Sequence, residues 1–264
     1  MTDIYEEIVS VKASGETAAL VTVINASGST PREEGVKMLV KIDGSLVGTI
    51  GGGRLEAEAT NEALEAIRDG KTRRLKFTLK EDEELGMICG GDVEIFIEPI
   101  ISAPTLFVFG GGHIALSLVR IASDIGFKVT VIDDRPEFAS PQRFPEADST
   151  VNEDFTNAFT KLKITKTSYI VIITHGHKYD ELVLEKALAT QARYIGMIGS
   201  KNKVRTIFEH LRSRGISLEV LDRVHAPIGL DIGAESPAEI AVSIAAEIIE
   251  DRRLSSPTNK KAKR

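Results

Sequence analysis

Apolar positions along the chain change their period between its two halves. In the first, residues 3–13 are amphipathic and predict a helix. Runs rich in Val, Ile and Leu at 19–25 and 38–42 predict strands. Helical spacing over 55–68 ends at Asp69-Gly70, a C-terminal stop signal. Residues 75–79 and 93–97 predict further strands. Alternation in the second is imperfect, as expected if one of its faces meets another domain. In the second half, short and mostly apolar runs at 105–109, 128–132, 169–174 and 194–198 alternate with helical patterns at 114–125, 180–190 and 201–214. Such alternation predicts a parallel sheet covered by helices.

The last helix is the best signalled. Ser236 is an N-cap, Pro237 occupies the first helical position and Glu239 the third. Ile240, Ile244 and Ile248 then share one face. Prolines at 99 and 104 disfavour helix at the residues before them, so 98–104 is the expected linker. The division is therefore 1–100, 101–252 and a polar, basic tail at 253–264, read as frayed.

Composition narrows the function classes. With 264 residues and a formal net charge of −6, the chain has no general field to attract nucleic acid or an anionic membrane. Its single cysteine, Cys89, excludes an intramolecular disulfide and cysteine-rich zinc sites. The start MTDIYEEIVS lacks the basic and apolar parts of a signal peptide, and no run is long enough to span a bilayer. A cytoplasmic protein is expected.

The sharpest motif is Gly110-Gly111-Gly112 with Ala115, between a strand and a helix. The first glycine permits a tight turn and the second lets a pyrophosphate approach the backbone. A small third residue lets helix and strand pack closely. Free N–H groups at the helix start favour an anion. Asp133, 21 residues after Gly112, ends the next strand, where a carboxylate can accept from a ribose 2′-hydroxyl. That favours NAD over NADP, although Arg135 could accommodate a 2′-phosphate.

Other segments each carry a structural and a chemical reading. Thr30-Pro31-Arg32 is a connecting loop, or places Arg32 to hold an anion. Gly51, Gly52 and Gly53 run into a helix, either as a flexible turn or as backbone donors for an anion. Cys89, flanked by glycines, is a small buried hydrophobe or a thiol for metal contact or sulfur handling. His175, His177 and Asp180 follow a strand and serve as loop residues, metal ligands or proton carriers. Ser200 and Lys201 open a helix, where Lys201 and Lys203 oppose the dipole unless an anion is bound.

Gly28-Ser29-Thr30-Pro31-Arg32, the stretch 48–56, Met87-Ile88-Cys89-Gly90-Gly91, 94–99, 109–114, 174–180, 196–203 and Pro227-Ile228-Gly229-Leu230-Asp231-Ile232-Gly233 occur in that order. Together they resemble the XdhC/CoxI family, accessory proteins of xanthine dehydrogenase and related molybdenum hydroxylases. The resemblance spans about 19–250. It implies an α/β chain with a smaller N-terminal α+β XdhC/CoxI-like domain and a C-terminal Rossmann-type domain. It implies a chaperone that binds the molybdenum cofactor (molybdopterin), assists its sulfuration with a cysteine desulfurase and inserts it into a xanthine dehydrogenase-like hydroxylase; a homodimer fits the family. On that reading Arg32, Gly51, Gly52, Gly53, Gly110, Gly112, His113, Asp133 and Ser200 bind the cofactor or NAD, and Cys89 faces the metal or relays sulfur. One departure is Gly111, where such proteins often carry alanine. Two other readings stand beside this one. The first is an NAD-dependent oxidoreductase with His175, His177 and Asp180 moving protons. The second is a nucleotide-responsive structural partner of a larger enzyme.

Overall fold

The structure, a computed structural model, describes residues 3–28, 33–79 and 91–254, with no account of the His177 and Leu254 side chains. Arg32, Cys89 and residues 255–264 lie outside the described residues, whereas the first two residues of the expected tail, 253 and 254, close the last helix. The chain divides into two compact units, 3–102 and 103–254.

The first unit is an antiparallel sheet flanked by helices. Its elements are α1 (Ile4–Ser14), β1 (Thr17–Gly28), β2 (Lys37–Lys41), β3 (Leu46–Gly48), α2 (Gly53–Asp69), β4 (Arg73–Leu79) and β5 (Gly91–Ile101), with sheet order β3-β2-β1-β5-β4. Period-two alternation sorts β1 between two faces. Ala19, Val21 and Val23 pack with α2, whereas Ala18 and Leu20 pack with Val11 of α1. On α2 the buried stripe is Leu55, Ala59, Ala63 and Ala66, mostly small residues that let the helix lie close to the sheet. Each fully buried Val or Ile of this core contributes roughly 1.5–3 kcal/mol.

The expected linker is shorter than its prolines suggested. β5 continues to Ile101, and Pro99 pairs opposite Ala19. Pairing with β4 stops at Ile97, so beyond it β5 is bonded on one side only, where proline is tolerated.

The second unit is the expected parallel sheet. Its strands are β6 (Thr105–Phe109), β7 (Lys128–Asp133), β8 (Ser149–Asn152), β9 (Tyr169–Ile172), β10 (Tyr194–Met197) and β11 (Val224–His225), ordered β11-β10-β9-β6-β7-β8. The helices are α3 (His113–Asp124), α4 (Phe155–Ala158), α5 (His177–Leu188), α6 (Lys201–Ser213), α7 (Leu218–Leu221) and α8 (Pro237–Leu254). Leu106 and Val108 face α3 and α8, and Phe107 and Phe109 face α4, α5 and α6, so β6 is buried on both sides. Ser236 and Glu239 form the anticipated reciprocal cap at the start of α8.

The central strand β6 pairs with both β7 and β9. From it the chain builds outward through β7 and β8, then returns to the other side for β9, β10 and β11. The reversal between β6 and β9 is a topological switch point, the place where such sheets open a crevice beyond their carboxyl ends.

Candidate functional site

The turn after β6 is held from three directions. Gly110 has φ 111° and donates to the Ile132 carbonyl at 2.7 Å. A Cβ there would lie 2.3 Å from the Ile173 carbonyl oxygen, so the close approach of β9 also demands glycine. Gly111 donates to Asp133 Oδ2 at 2.8 Å and accepts from Arg143 Nε at 2.9 Å. Gly112 caps α3 with no capping side chain, and no acidic residue stands in the helix's first turn. A Cβ on Gly112 would meet nothing within 4 Å. The positive end of α3 thus opens onto free space, while Ala115, fully buried, lets the helix pack on the sheet.

Gly111 is a required departure from alanine in this chain. A Cβ there would fall 1.8 Å from the Phe138 carbonyl oxygen, which belongs to a single 3-10 turn, Pro136–Phe138. Gly111→Ala must push that backbone away. We expect it to destabilise by about 1–3 kcal/mol, the usual range for overpacking, read as a lowered urea midpoint with unchanged slope.

Asp133 does not present its carboxylate as the sequence suggested. It is wholly buried. Oδ1 accepts from the backbone N–H and Nε of Arg135, and Oδ2 from the Gly111 N–H and Arg135 Nη2. Those four bonds fill the acceptor capacity of a carboxylate. Burial pushes the carboxyl up, but the bonds from Arg135 and Gly111 outweigh it and hold the group below its ordinary range. The Arg135 guanidinium lies 3.7 Å over the Phe138 ring, and that of Arg143 lies 4.8 Å from it.

The neighbouring Asp134 was not singled out in the sequence. Its Oδ1 is buried without a hydrogen-bond partner and stands 3.7 Å from His175 Nδ1. Burial, and then the adjoining Asp133 carboxylate, push the Asp134 carboxyl above its ordinary value. One ligand atom from each of Asp133, Asp134 and His175 fits within 4.8 Å. Asp133 is already saturated, however, and Arg135 Nε lies 3.9 Å from Asp134 Oδ1, an unfavourable neighbour for a metal ion.

The expected trio of His175, His177 and Asp180 is divided. α5 begins at His177, three residues before the expected start, because Gly176 takes the cap position without a side-chain signal. His175 lies against Tyr179, ring centroids 4.7 Å apart, with Asp134 as its charged neighbour. Asp180 is wholly buried. It accepts from the Thr174 N–H at 3.1 Å, the Thr174 hydroxyl at 2.6 Å and the Lys203 ammonium. Lys203, expected to await an anion, is therefore spent on Asp180. Ser200 caps α6 by accepting from the Lys203 N–H at 3.3 Å.

In the first unit, the Gly51-Gly52-Gly53 turn carries φ values of 129°, 77° and 61°. The N–H groups of Ile50, Gly51 and Gly52 are not open. Glu56 Oε2 accepts from the N–H groups of Ile50 and Gly52, both at 3.2 Å, and from the Thr49 hydroxyl. The Gly51 N–H goes to Thr49 Oγ1 at 3.1 Å. The chain's own carboxylate thus sits where an external anion was expected. Glu56→Ala is expected to cost about 1–3 kcal/mol by stranding these donors, measured by urea unfolding; a change within error would contradict that role.

The motif at 227–233 follows β11. Glu247 of α8 accepts from the Gly229 N–H, the Tyr194 hydroxyl and His225 Nδ1. The Ser243 hydroxyl donates to the Leu230 carbonyl at 2.6 Å. Sequence reading missed Glu247 and His225, because their pairing crosses 22 residues and leaves no local signal.

Residues 106–248 match the XdhC Rossmann domain, and 11–78 match the XdhC and CoxI family. The uncharacterised Escherichia coli K12 protein YqeB is 33% identical, over 94% of this chain and 46% of its own length. A Bacillus subtilis 168 protein described as a probable component of xanthine dehydrogenase is 32% identical, over 60% of this chain and 46% of its own. The E. coli K12 molybdenum cofactor insertion chaperone PaoD is 25% identical, over 90% of this chain and 85% of its own. The chain thus spans a little under half of the first two relatives. A crystal structure described as a xanthine dehydrogenase from Bacillus halodurans superposes with a TM-score of 0.53 at 25% identity, over 98% of this chain and 99% of that one. Among the described residues, no helix is long and apolar enough to cross a membrane. The chain belongs to the XdhC and CoxI family, with the XdhC Rossmann domain as its second unit.

Proposed function

We propose that this protein holds the molybdenum cofactor and passes it to a xanthine dehydrogenase-type hydroxylase. The observation that carries the reading is the open, uncapped start of α3 at Gly112, set at the switch point of an XdhC Rossmann domain. Molybdopterin ends in a phosphate, and backbone donors at a positive helix end suit such a group. The likeness to a molybdenum cofactor insertion chaperone supports the same reading. When bound, the cofactor supplies the metal at which the client hydroxylase later works. This chain's residues bind and orient it: the N–H groups of the first turn of α3 take the phosphate, and His113, exposed on that turn, borders it.

Cys89 is the thiol we assign to metal contact or sulfur relay, since a soft thiolate suits either. Arg32 adds a cation for the cofactor. A cysteine desulfurase as sulfur source, a homodimeric state and a cytoplasmic site of action belong to the same proposal. Hydride transfer to NAD has no comparable support, because Asp180 is committed to Thr174 and Lys203.

The test is maturation of a client. A xanthine dehydrogenase-type hydroxylase is co-produced with and without this chain, then assayed for molybdenum, terminal sulfur and activity. We expect full metal loading only with the chain. Cys89→Ala should lower the sulfurated fraction at least several-fold while the protein stays folded. Equal loading in both cultures would remove the chaperone reading; unchanged sulfur content in Cys89→Ala would remove the thiol role.

A further inference from the structure

The ribose-reading position of the Rossmann unit is closed by the protein itself. In a dinucleotide-binding unit the pyrophosphate lies at the helix start, and the adenosine ribose reaches the acid that ends the second strand. Gly111 links those two points here. It is bonded covalently to the cap Gly112, and through its N–H to Asp133. Its outer side is covered, since the Phe138 carbonyl takes the space of a Cβ and Arg143 grips its carbonyl. Asp133 has no acceptor site left and no exposed surface.

A 2′-phosphate fares no better. Arg135, the cation that could receive it, turns Nε and Nη2 onto Asp133 and lays its face on the Phe138 ring. Its side chain is only 31% exposed. To admit either nucleotide, the buried ion pair must break and the Pro136–Phe138 turn must move. Meanwhile the α3 start stays open, with nothing within 4 Å of a Cβ on Gly112. The same unit is thus open to an anion and closed to a nucleoside.

We infer that this Rossmann unit excludes the adenosine end of NAD and NADP, with Arg135 and Phe138 as the residues that set this specificity. It takes a phosphate-bearing ligand with no ribose against Asp133. The inference rests on reading the α3 start as the ligand site, and it separates a molybdopterin without a nucleotide from one that carries a nucleotide against Asp133.

The test is calorimetric titration of the full-length wild-type protein with NAD, NADP and ADP-ribose. Ligand-observed magnetisation transfer to the adenine protons runs alongside. We expect no saturable binding below the millimolar range. Arg135→Ala frees two acceptor sites on Asp133, and Phe138→Ala removes the ring that holds Arg135. Whichever variant keeps its thermal transition is expected to gain roughly 10-fold or more in ADP-ribose affinity, the scale of a charge-assisted hydrogen bond. Micromolar binding of NAD or NADP to the wild type would overturn the inference. So would a folded Arg135→Ala or Phe138→Ala protein with no gain. Pterin content, measured on the same wild-type preparation, distinguishes the two failures. Pterin present with NAD bound sinks only the exclusion, and pterin absent with NAD excluded sinks only the cofactor reading.

Discussion

Lys203→Met is expected to destabilise the Rossmann unit by on the order of 3–5 kcal/mol, because it strands the Asp180 carboxylate in the interior. Asp180 is wholly buried, and Lys203 is only 14% exposed. The two Thr174 bonds remain in the variant, but neither supplies a positive charge. A hydrogen-bonded carboxylate without its cation retains most of its desolvation penalty. The Asp180→Asn, Lys203→Met double variant removes the charge together with its partner. We expect it to recover much of the loss, since removing one member of a buried pair is worse than removing both. Urea unfolding of Lys203→Met, Asp180→Asn and the double variant decides this. Losses that simply add would contradict a coupled pair. The pair joins α5 to α6, and through Thr174 Asp180 also holds the loop after β9.

Glu247→Ala is expected to cost about 3 kcal/mol or more. The Tyr194 hydroxyl and the Gly229 N–H each lose an acceptor in a largely buried setting, at roughly 1–3 kcal/mol apiece. His225 also loses the carboxylate that faces it 2.9 Å away. The pair gives stability a definite pH dependence. The bond to Glu247 raises the His225 pKa above its ordinary 6.5 against the opposing effect of burial. That contribution is complete below pH 6.5 and is lost as pH rises through the raised value. For Glu247, burial pushes the carboxyl up, but the bonds from His225, Gly229 and Tyr194 win and place it below its ordinary 4.5. Its contribution is complete above pH 4.5 and is lost as pH falls through the lowered value. The pair therefore stabilises most between about pH 4.5 and 6.5. The groups facing it are Tyr194 and, further along α8, Asp251. Melting temperatures taken from pH 4 to 9 should show this window in the wild type and a flatter profile in Glu247→Gln. Parallel profiles would contradict the assignment.

Both predictions concern carboxylates, and carboxylates mark where sequence reading reached its limit. The apolar pattern placed β6 and α3, and the glycines placed the turn between them, because burial on both sides of β6 and the start of an amphipathic helix leave strong periodic signals. The Ile240, Ile244 and Ile248 stripe and its cap were legible for the same reason. β8 and β11 were not, being short edge strands of four and two residues with exposed or half-buried positions. The start of α5 was hidden because its cap is a glycine with no side-chain bond. At the candidate site the residue types were legible, but their partners were not. Asp133, Asp180 and Glu56 each stood beside a glycine turn or helix start, as ligand-binding acids do. Which donor each oxygen meets depends on side chains 2 to 23 positions away and on the packing that aims them. In all three cases the chain supplies its own donors. Among the described residues, the start of α3 has no side-chain cap and no acidic residue in its first turn.

That terminus offers the most direct test. The protein should be purified from a host that makes molybdenum cofactor, and the pterin released by acid oxidation should be quantified by fluorescence per mole of chain. We predict a substantial fraction of one pterin per chain, reduced several-fold by Gly112→Asp, which sets a carboxylate over the first turn of α3. Pterin at the level of an unrelated protein from the same host, or an equal amount in Gly112→Asp, would contradict cofactor binding at α3.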